Sequence, residues 1–393
     1  MILAAFLLPV AVVVLVILIQ RFGLPVFLAL MTIVAGYGIA ADMTFQSIGK
    51  AFGLGFAATL EQTGLLVMAG ALAGMLAISQ PLRGPMAGAA GVVAGLGGTA
   101  AGGLALLQPA GNGAPRRAIG LAMTLLIVHA LVVPSPLAVA AASVTKADLR
   151  TMAFVAIPVA AIVAVLIWLL VTRGDPTRGA LPVTWLAIAI PLALLVLQSI
   201  AQMPSEPLGR GGAREFYTGI SRPLILAVLA IALALVLSRR WQPAVLADTR
   251  WAPLLLTVGA AGGFGRVLDE TGMAELLAER ALDARLGLLA PFLAAAIVKT
   301  MQGNSLSAVL TASGMIEPML PALGLDSATG RALAAASVGA GSIAICHVND
   351  PFFWIAAHMA GLPPLGALRA IALGSLAVSL TALLLLSAVR LAL

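Results

Sequence analysis

Blocks such as "ILAAFLLPVAVVVLVILI" (2–19) and "PLILAVLAIALALVLS" (223–238) contain no charged side chain at all. A helix of about 20 apolar residues crosses the hydrocarbon core of a bilayer, and several blocks of this chain reach or approach that length. Soluble domains carry about 25% charged residues, whereas this chain has 9%, with 61% hydrophobic. Those proportions exclude a water-soluble globule. The chain is expected to be an all-α polytopic membrane protein.

Apolar runs centre near 2–19, 24–40, 63–79, 118–133, 152–172, 182–200, 223–238, 252–268, 330–346 and 370–389. The first is too long for a signal peptide, lacks a basic leader and is followed by no small-residue cleavage site, so it is expected to be retained as a span. The single cysteine, Cys346, rules out an internal disulfide. A net charge of +7 raises the question of nucleic acid. The basic residues stand singly or in pairs between apolar blocks, however, which suits cytoplasmic loops and lipid head groups instead. Arg21, Arg83, Arg116, Arg117, Arg173, Arg178, Arg239 and Arg240 can all face the cytoplasm if the N-terminus lies outside. Three arginines in the loop 201–222 pull against that threading.

Two further stretches, 86–109 and 287–321, are apolar but interrupted by Gly, Thr, Asn, Gln and Lys. Irregular backbone at membrane depth survives only where it is buried or lines a cavity, so both are expected to be re-entrant helical hairpins. The two halves of the chain also resemble each other in order. "GLLVMAGALAGML" (64–76) pairs with "PLLLTVGAAGGFGRVL" (253–268), and "GVVAGLGGTAAGGLALLQP" (91–109) with "AIVKTMQGNSLSAVLTASG" (296–314). "LLIVHALVVPSP" (125–136) pairs with "IAICHVNDPFF" (343–353), each placing a His before a proline-containing break. With the charge-based threading, a first repeat (1–172) and a second (182–393) enter the membrane from opposite sides, joined by the polar segment 173–181. Inverted repeats with broken helices meeting at the midplane are a secondary-transporter arrangement.

The break at "KTMQGNSLSAVLTASG" (299–314) offers the most chemistry. Gly303 permits a tight turn between half-helices, and Gln302, Asn304, Ser305 and Thr311 supply polar groups around it. A half-helix starting there aims backbone N–H groups and a positive dipole end inward, which favours an anion. Lys299, one turn earlier, is a costly group at membrane depth. It is expected to bind a substrate carboxylate or to balance Asp350, the alternative being that it snorkels to an interface. The counterpart turn, "GLGGTAAGG" (95–103), offers Gly98 and Thr99. In "CHVNDPFFW" (346–354), Pro351 disfavours helix at Asp350, so the chain should unwind there, with Asn349 satisfying the opened backbone. A buried Asp350 is a candidate to take up a proton near neutral pH, with His347 as its neighbour. His129 and its "VPSP" (133–136) form the weaker counterpart, with His129 expected to pack. His358 and Glu61 are expected to be structural or interfacial. The glycines of "GGFGRVLDETGMAELLAER" (262–280) are expected to serve close helix packing, ahead of an amphipathic surface helix.

At "PVFLALMTIVAGYGIA", "GGFGRVLDETGM", "QGNSLSAVLTASG" and "HVNDPFFW", in that order, the chain resembles the gluconate:proton symporter (gluconate permease) family of the wider ion-transporter superfamily. The resemblance implies a bundle of inverted repeats with paired re-entrant hairpins, dimeric, in the bacterial inner membrane. It also implies proton-coupled uptake of a small hydroxylated monocarboxylate. Three departures stand out. Lys299 occupies a place where the family usually has Arg, "VPSP" replaces a usual "HPGP", and the first hairpin has "GGTAAGGLALLQP" where an aromatic-Asp element is normal. The chain is also shorter than usual for the family.

The expected function is thus symport of a proton with gluconate or a related sugar acid or hydroxy acid. The substrate would be held by Gly98, Thr99, Lys299, Gln302, Gly303, Asn304, Ser305, Thr311, His347 and Asn349, with Asp350 and His347 carrying the proton. The expected partners are the small organic anion, the coupling ion and the lipid bilayer, with no nucleic acid. A sodium-coupled carboxylate or dicarboxylate symporter of the same superfamily is the alternative, since backbone carbonyls at such breaks can hold Na⁺. An intramembrane enzyme using His347 and Asp350 as acid and base is an alternative of another class, and a passive anion channel a third. No cluster with metal-ligand spacing is present in the sequence, and neither a metal nor a cofactor is expected.

Overall fold

Helix is the only regular structure among the described residues. The structure is a computed structural model and describes residues 2–78, 82, 85–111, 114–171, 182–239 and 242–393. The expected join at 173–181 lies outside the described residues, as do Arg83, Arg173, Arg178 and Arg240.

The first half contributes α1 (Ile2–Gln20), α2 (Val26–Ala40), α3 (Phe45–Ala77, with a π turn at Leu60–Gly64), α4 (Pro85–Gly95) and α5 (Ala100–Leu106). It continues with α6 (Pro115–Leu131), α7 (Pro136–Thr145) and α8 (Leu149–Val171). The second begins with α9 (Leu186–Ala201), α10 (Gly212–Ile220), α11 (Pro223–Ser238), α12 (Ala252–Asp269) and α13 (Met273–Ala281). It ends with α14 (Leu289–Gln302), α15 (Ser305–Ile316), α16 (Ala328–Gly341), α17 (Pro351–Ala360) and α18 (Pro364–Ala392). Among the described residues, five stretches are long and apolar enough to cross a membrane: α3, α6 with α7, α8, Val183–Ala201 and α18. The bent pair α10 and α11 makes a sixth if counted as one span.

Each apolar run in the sequence falls on a helix, with one extension and one early stop, since the run 330–346 leaves its helix after Gly341. Helix α3 starts at Phe45 rather than near residue 63, because Thr44 caps it through Ser47 N (3.1 Å) and its face of Phe52, Gly55, Phe56 and Thr59 is covered by α12. Gly55 and Gly262 bring those two helices together: a Cβ on Gly55 would strike the Gly262 carbonyl, and one on Gly262 would strike Thr59 Oγ1. In lipid, where burial of apolar surface gains little, such close van der Waals contact is a main source of helix association.

The outward faces are apolar as lipid requires. Val13 and Ile17 on α1, Phe154 and Leu170 on α8, Val228 and Val236 on α11, and Leu380 and Leu384 on α18 are all exposed. At the centre lie α6 and α16, buried without interruption over Leu121–Leu131 and Ala332–Gly341 respectively. Around them the packing is reciprocal. Helix α4 packs on α6 as α14 packs on α16, while α7 lies against α15 and α16, and α17 against α5 and α6.

Candidate substrate-binding site

Helix α14 stops at Gln302 because Gly303 takes a left-handed conformation (φ 69°), and α15 restarts two residues later. No side chain fits at Gly303, since a Cβ would collide with the carbonyl of Asn349. Asn304 caps the new helix, its Oδ1 accepting from Leu306 N (2.9 Å) and Ser307 N (3.1 Å). An interrupted helix leaves its last carbonyls without intrahelical partners, and in a buried setting each must be satisfied. The segment after α16 does this work. Asn349 Nδ2 donates to Thr300 O (3.1 Å) and Met301 O (3.0 Å), and His347 Nε2 donates to Thr300 O (2.7 Å). The ammonium of Lys299 donates to Gly303 O (3.2 Å).

Lys299 and Asp350 form an ion pair of 2.6 Å, with side chains only 2% and 6% exposed. Asp350 is also the N-cap of α17, its Oδ1 accepting from Phe352 N (2.8 Å), and Pro351 occupies the first helical position where no N–H is needed. One carboxylate therefore starts a helix and neutralises a buried lysine. Removing a single partner of such a pair leaves an uncompensated charge, at a cost of about 3–5 kcal/mol. Lys299 makes two hydrogen bonds among the described residues, Asp350 and Gly303 O, so one of its three donors is left for a ligand.

The first break repeats the backbone design with neutral groups. Gly98 is left-handed (φ 64°) and Thr99 caps α5, its Oγ1 accepting from Gly102 N (3.0 Å). Ser199 Oγ accepts from Gly98 N (3.3 Å). His129 Nδ1 lies 3.0 Å from Gly95 O, and Ser135 caps α7 ahead of Pro136.

Both breaks line one cavity of about 770 Å³. Of the residues expected to hold substrate, Gly98, Thr99, Lys299, Gln302, Gly303, Asn304, Ser305 and Asn349 are on its wall, as is Asp350. Thr311 and His347 are not. Thr311 lies well along α15, and His347 is turned to the end of α14. Gln302 bridges elements, donating to Asp269 Oδ1 (2.7 Å) and Glu275 Oε1 (2.9 Å) while accepting from Ser307 Oγ (2.5 Å).

Sequence reasoning missed part of the wall. Arg266, paired with Asp269 and Glu270 at 2.6 Å each, lines the cavity beside Asp269. Its signal was a charge in the glycine-rich apolar run of α12. Gln62, Gln198 and Gln202 also line it, and no local pattern marks them.

Residues 116–392 match the family model described as GntP family permease. The chain belongs to this family. The permease is 27% identical over 397 residues to a gluconate permease of Pseudomonas aeruginosa, covering 87% of each chain. It is 25% identical over 380 residues to the Gnt-II system L-idonate transporter of Escherichia coli, covering 84% of this chain and 86% of that one. It is also 27% identical over 202 residues to the low-affinity gluconate transporter of Escherichia coli, covering 47% and 44%. With its membrane-length apolar helices, the permease is a multi-pass transporter of the inner membrane.

Proposed function

We propose that this permease is a proton symporter for gluconate or a related hydroxylated monocarboxylate. The observation that carries the reading is the buried Lys299–Asp350 pair on the wall of a cavity shared by two helix breaks. A substrate carboxylate entering this site competes with Asp350 for Lys299. A proton on Asp350 removes the competition: the neutral acid keeps its capping role, and the ammonium turns to the substrate. Anion and proton then bind together, and their joint passage moves no net charge. His347 and Asn349 act in this scheme by holding the end of α14 in place. The relatives' names, gluconate and L-idonate, agree in substrate class.

The reading includes two inverted repeats, 1–172 and 182–393, joined by 173–181, with α4–α5 and α14–α15 as re-entrant hairpins. Its support is the reciprocal packing of α7 on α15 and α16 and of α17 on α5 and α6. Alternating access would come from rocking one repeat against the other. Sodium at the second tip is disfavoured, because the Gly303 carbonyl that would hold it accepts from Lys299.

The test is uptake into proteoliposomes under an imposed pH gradient. Wild type should accumulate gluconate without Na⁺, and Asp350→Asn should not accumulate it. Sodium-dependent, pH-indifferent uptake would overturn the proposal.

A further inference from the structure

The cavity wall takes its charged groups from one part of the chain only, whereas its neutral polar groups come from both parts. Its four charged residues, Arg266, Asp269, Lys299 and Asp350, all follow residue 252, whereas Gln62, Thr63, His129, Gln198 and Gln202 precede it. Among these neutral groups His129 has a distinctive geometry. Its ring is 5% exposed and is held from behind. Nδ1 lies 3.0 Å from Gly95 O and 3.2 Å from Ser135 Oγ, and Ser135 Oγ itself donates to His129 O (2.5 Å). A carbonyl only accepts, so Nδ1 carries the proton, and Nε2 of the neutral ring presents a lone pair. Nε2 has no hydrogen-bond partner among the described residues, yet it is not among the sealed unpartnered atoms, and the residue lines the cavity. His347 is the contrast: its Nε2 is spent on Thr300 O, and its Nδ1 is buried without a partner among the described residues.

We propose that His129 Nε2 accepts a hydrogen bond from a hydroxyl group of the transported anion. The inference rests on the symport reading of the cavity and adds an orientation to it. The carboxylate lies at the second break near Lys299, and the hydroxylated chain extends toward the first, where an acceptor of fixed tautomer reads one hydroxyl. An unhydroxylated carboxylate of equal length would leave that acceptor without a donor.

The experiment is calorimetric titration of the full-length permease in detergent with D-gluconate and each of its monodeoxy analogues. In wild type, one analogue should bind about five- to tenfold more weakly than gluconate, as expected for one lost hydrogen bond. His129→Asn keeps a donor for Gly95 O but has no atom at the Nε2 position. It should weaken gluconate by a similar factor and leave that one analogue unchanged. His129→Gln, which carries an amide oxygen toward the Nε2 position, should recover part of the gluconate affinity and none of the analogue's deficit. Equal losses for gluconate and every analogue, or no loss in His129→Asn, would overturn the assignment. If wild type binds no sugar acid, the symport reading falls and takes this inference with it, a result visible without any variant.

Discussion

The two breaks share a backbone and differ in charge. Each has a left-handed glycine, a polar cap one residue later, a histidine bonded to the carbonyl three residues before the glycine, and a capped proline helix beyond. At the first break Ala94 stands where the second has Lys299, four residues before the glycine, and Ser135 caps the proline helix where the second uses Asp350. The neutral version holds the same geometry. The ion pair is therefore not what the break requires to form, and its presence at the second break alone, among the described residues, fits the coupling role proposed for it.

The largest effect should come from erasing that difference. Lys299→Ala with Asp350→Ser gives the second break the first break's chemistry. Its melting temperature in detergent should stay near wild type, while pH-driven accumulation is lost. Asp350→Ser alone should cost about 3–5 kcal/mol of stability, because it strands the lysine. A double variant no more stable than that single variant would break the comparison.

The turns should differ by a smaller margin. Gly303→Ala meets both a left-handed φ and the Asn349 carbonyl, so it should destabilise strongly and disable transport. Gly98→Ala meets only the movable end of Leu195 at 3.0 Å, so it should cost about the 1–2 kcal/mol of the conformation itself. Thermal unfolding of the two variants checks the order.

The smallest effect belongs to the ion pair that ties the halves together at the surface, Lys146 to Glu317 at 2.8 Å. The Lys146 hydrogen bond holds the Glu317 carboxyl below its usual range. Whatever stability the pair adds is present above the ordinary carboxylate range and disappears as pH falls through the lowered value. Lys146→Ala should barely move the melting temperature at neutral pH, and the small difference should vanish in acid. Melting curves across that range would show it.

Much of the second break was legible because its signals are local. Pro351 after Asp350 announces a capped helix start, and Gly303 followed by Asn304 announces a stop and a restart. What was not legible depends on distant partners. The purpose of His347 and Asn349 is set by carbonyls 47 to 49 residues earlier, and sequence alone left Lys299 open between a substrate, Asp350 and the membrane interface. The start of α3 was hidden because its face is defined by a distant helix, with Phe52 and Phe56 lying on Gly263 and Gly259 of α12 and Gly55 against Gly262. His129 was expected only to pack. Its free nitrogen becomes visible once Gly95 and Ser135 fix the other one.

The most direct measurement is proton entry during uptake, followed with a pH-sensitive dye trapped in proteoliposomes. Gluconate added outside should carry protons inward with wild type and not with Lys299→Ala, Asp350→Ser. Gluconate uptake by wild type without acidification, or acidification that persists when the pair is replaced, would contradict the account.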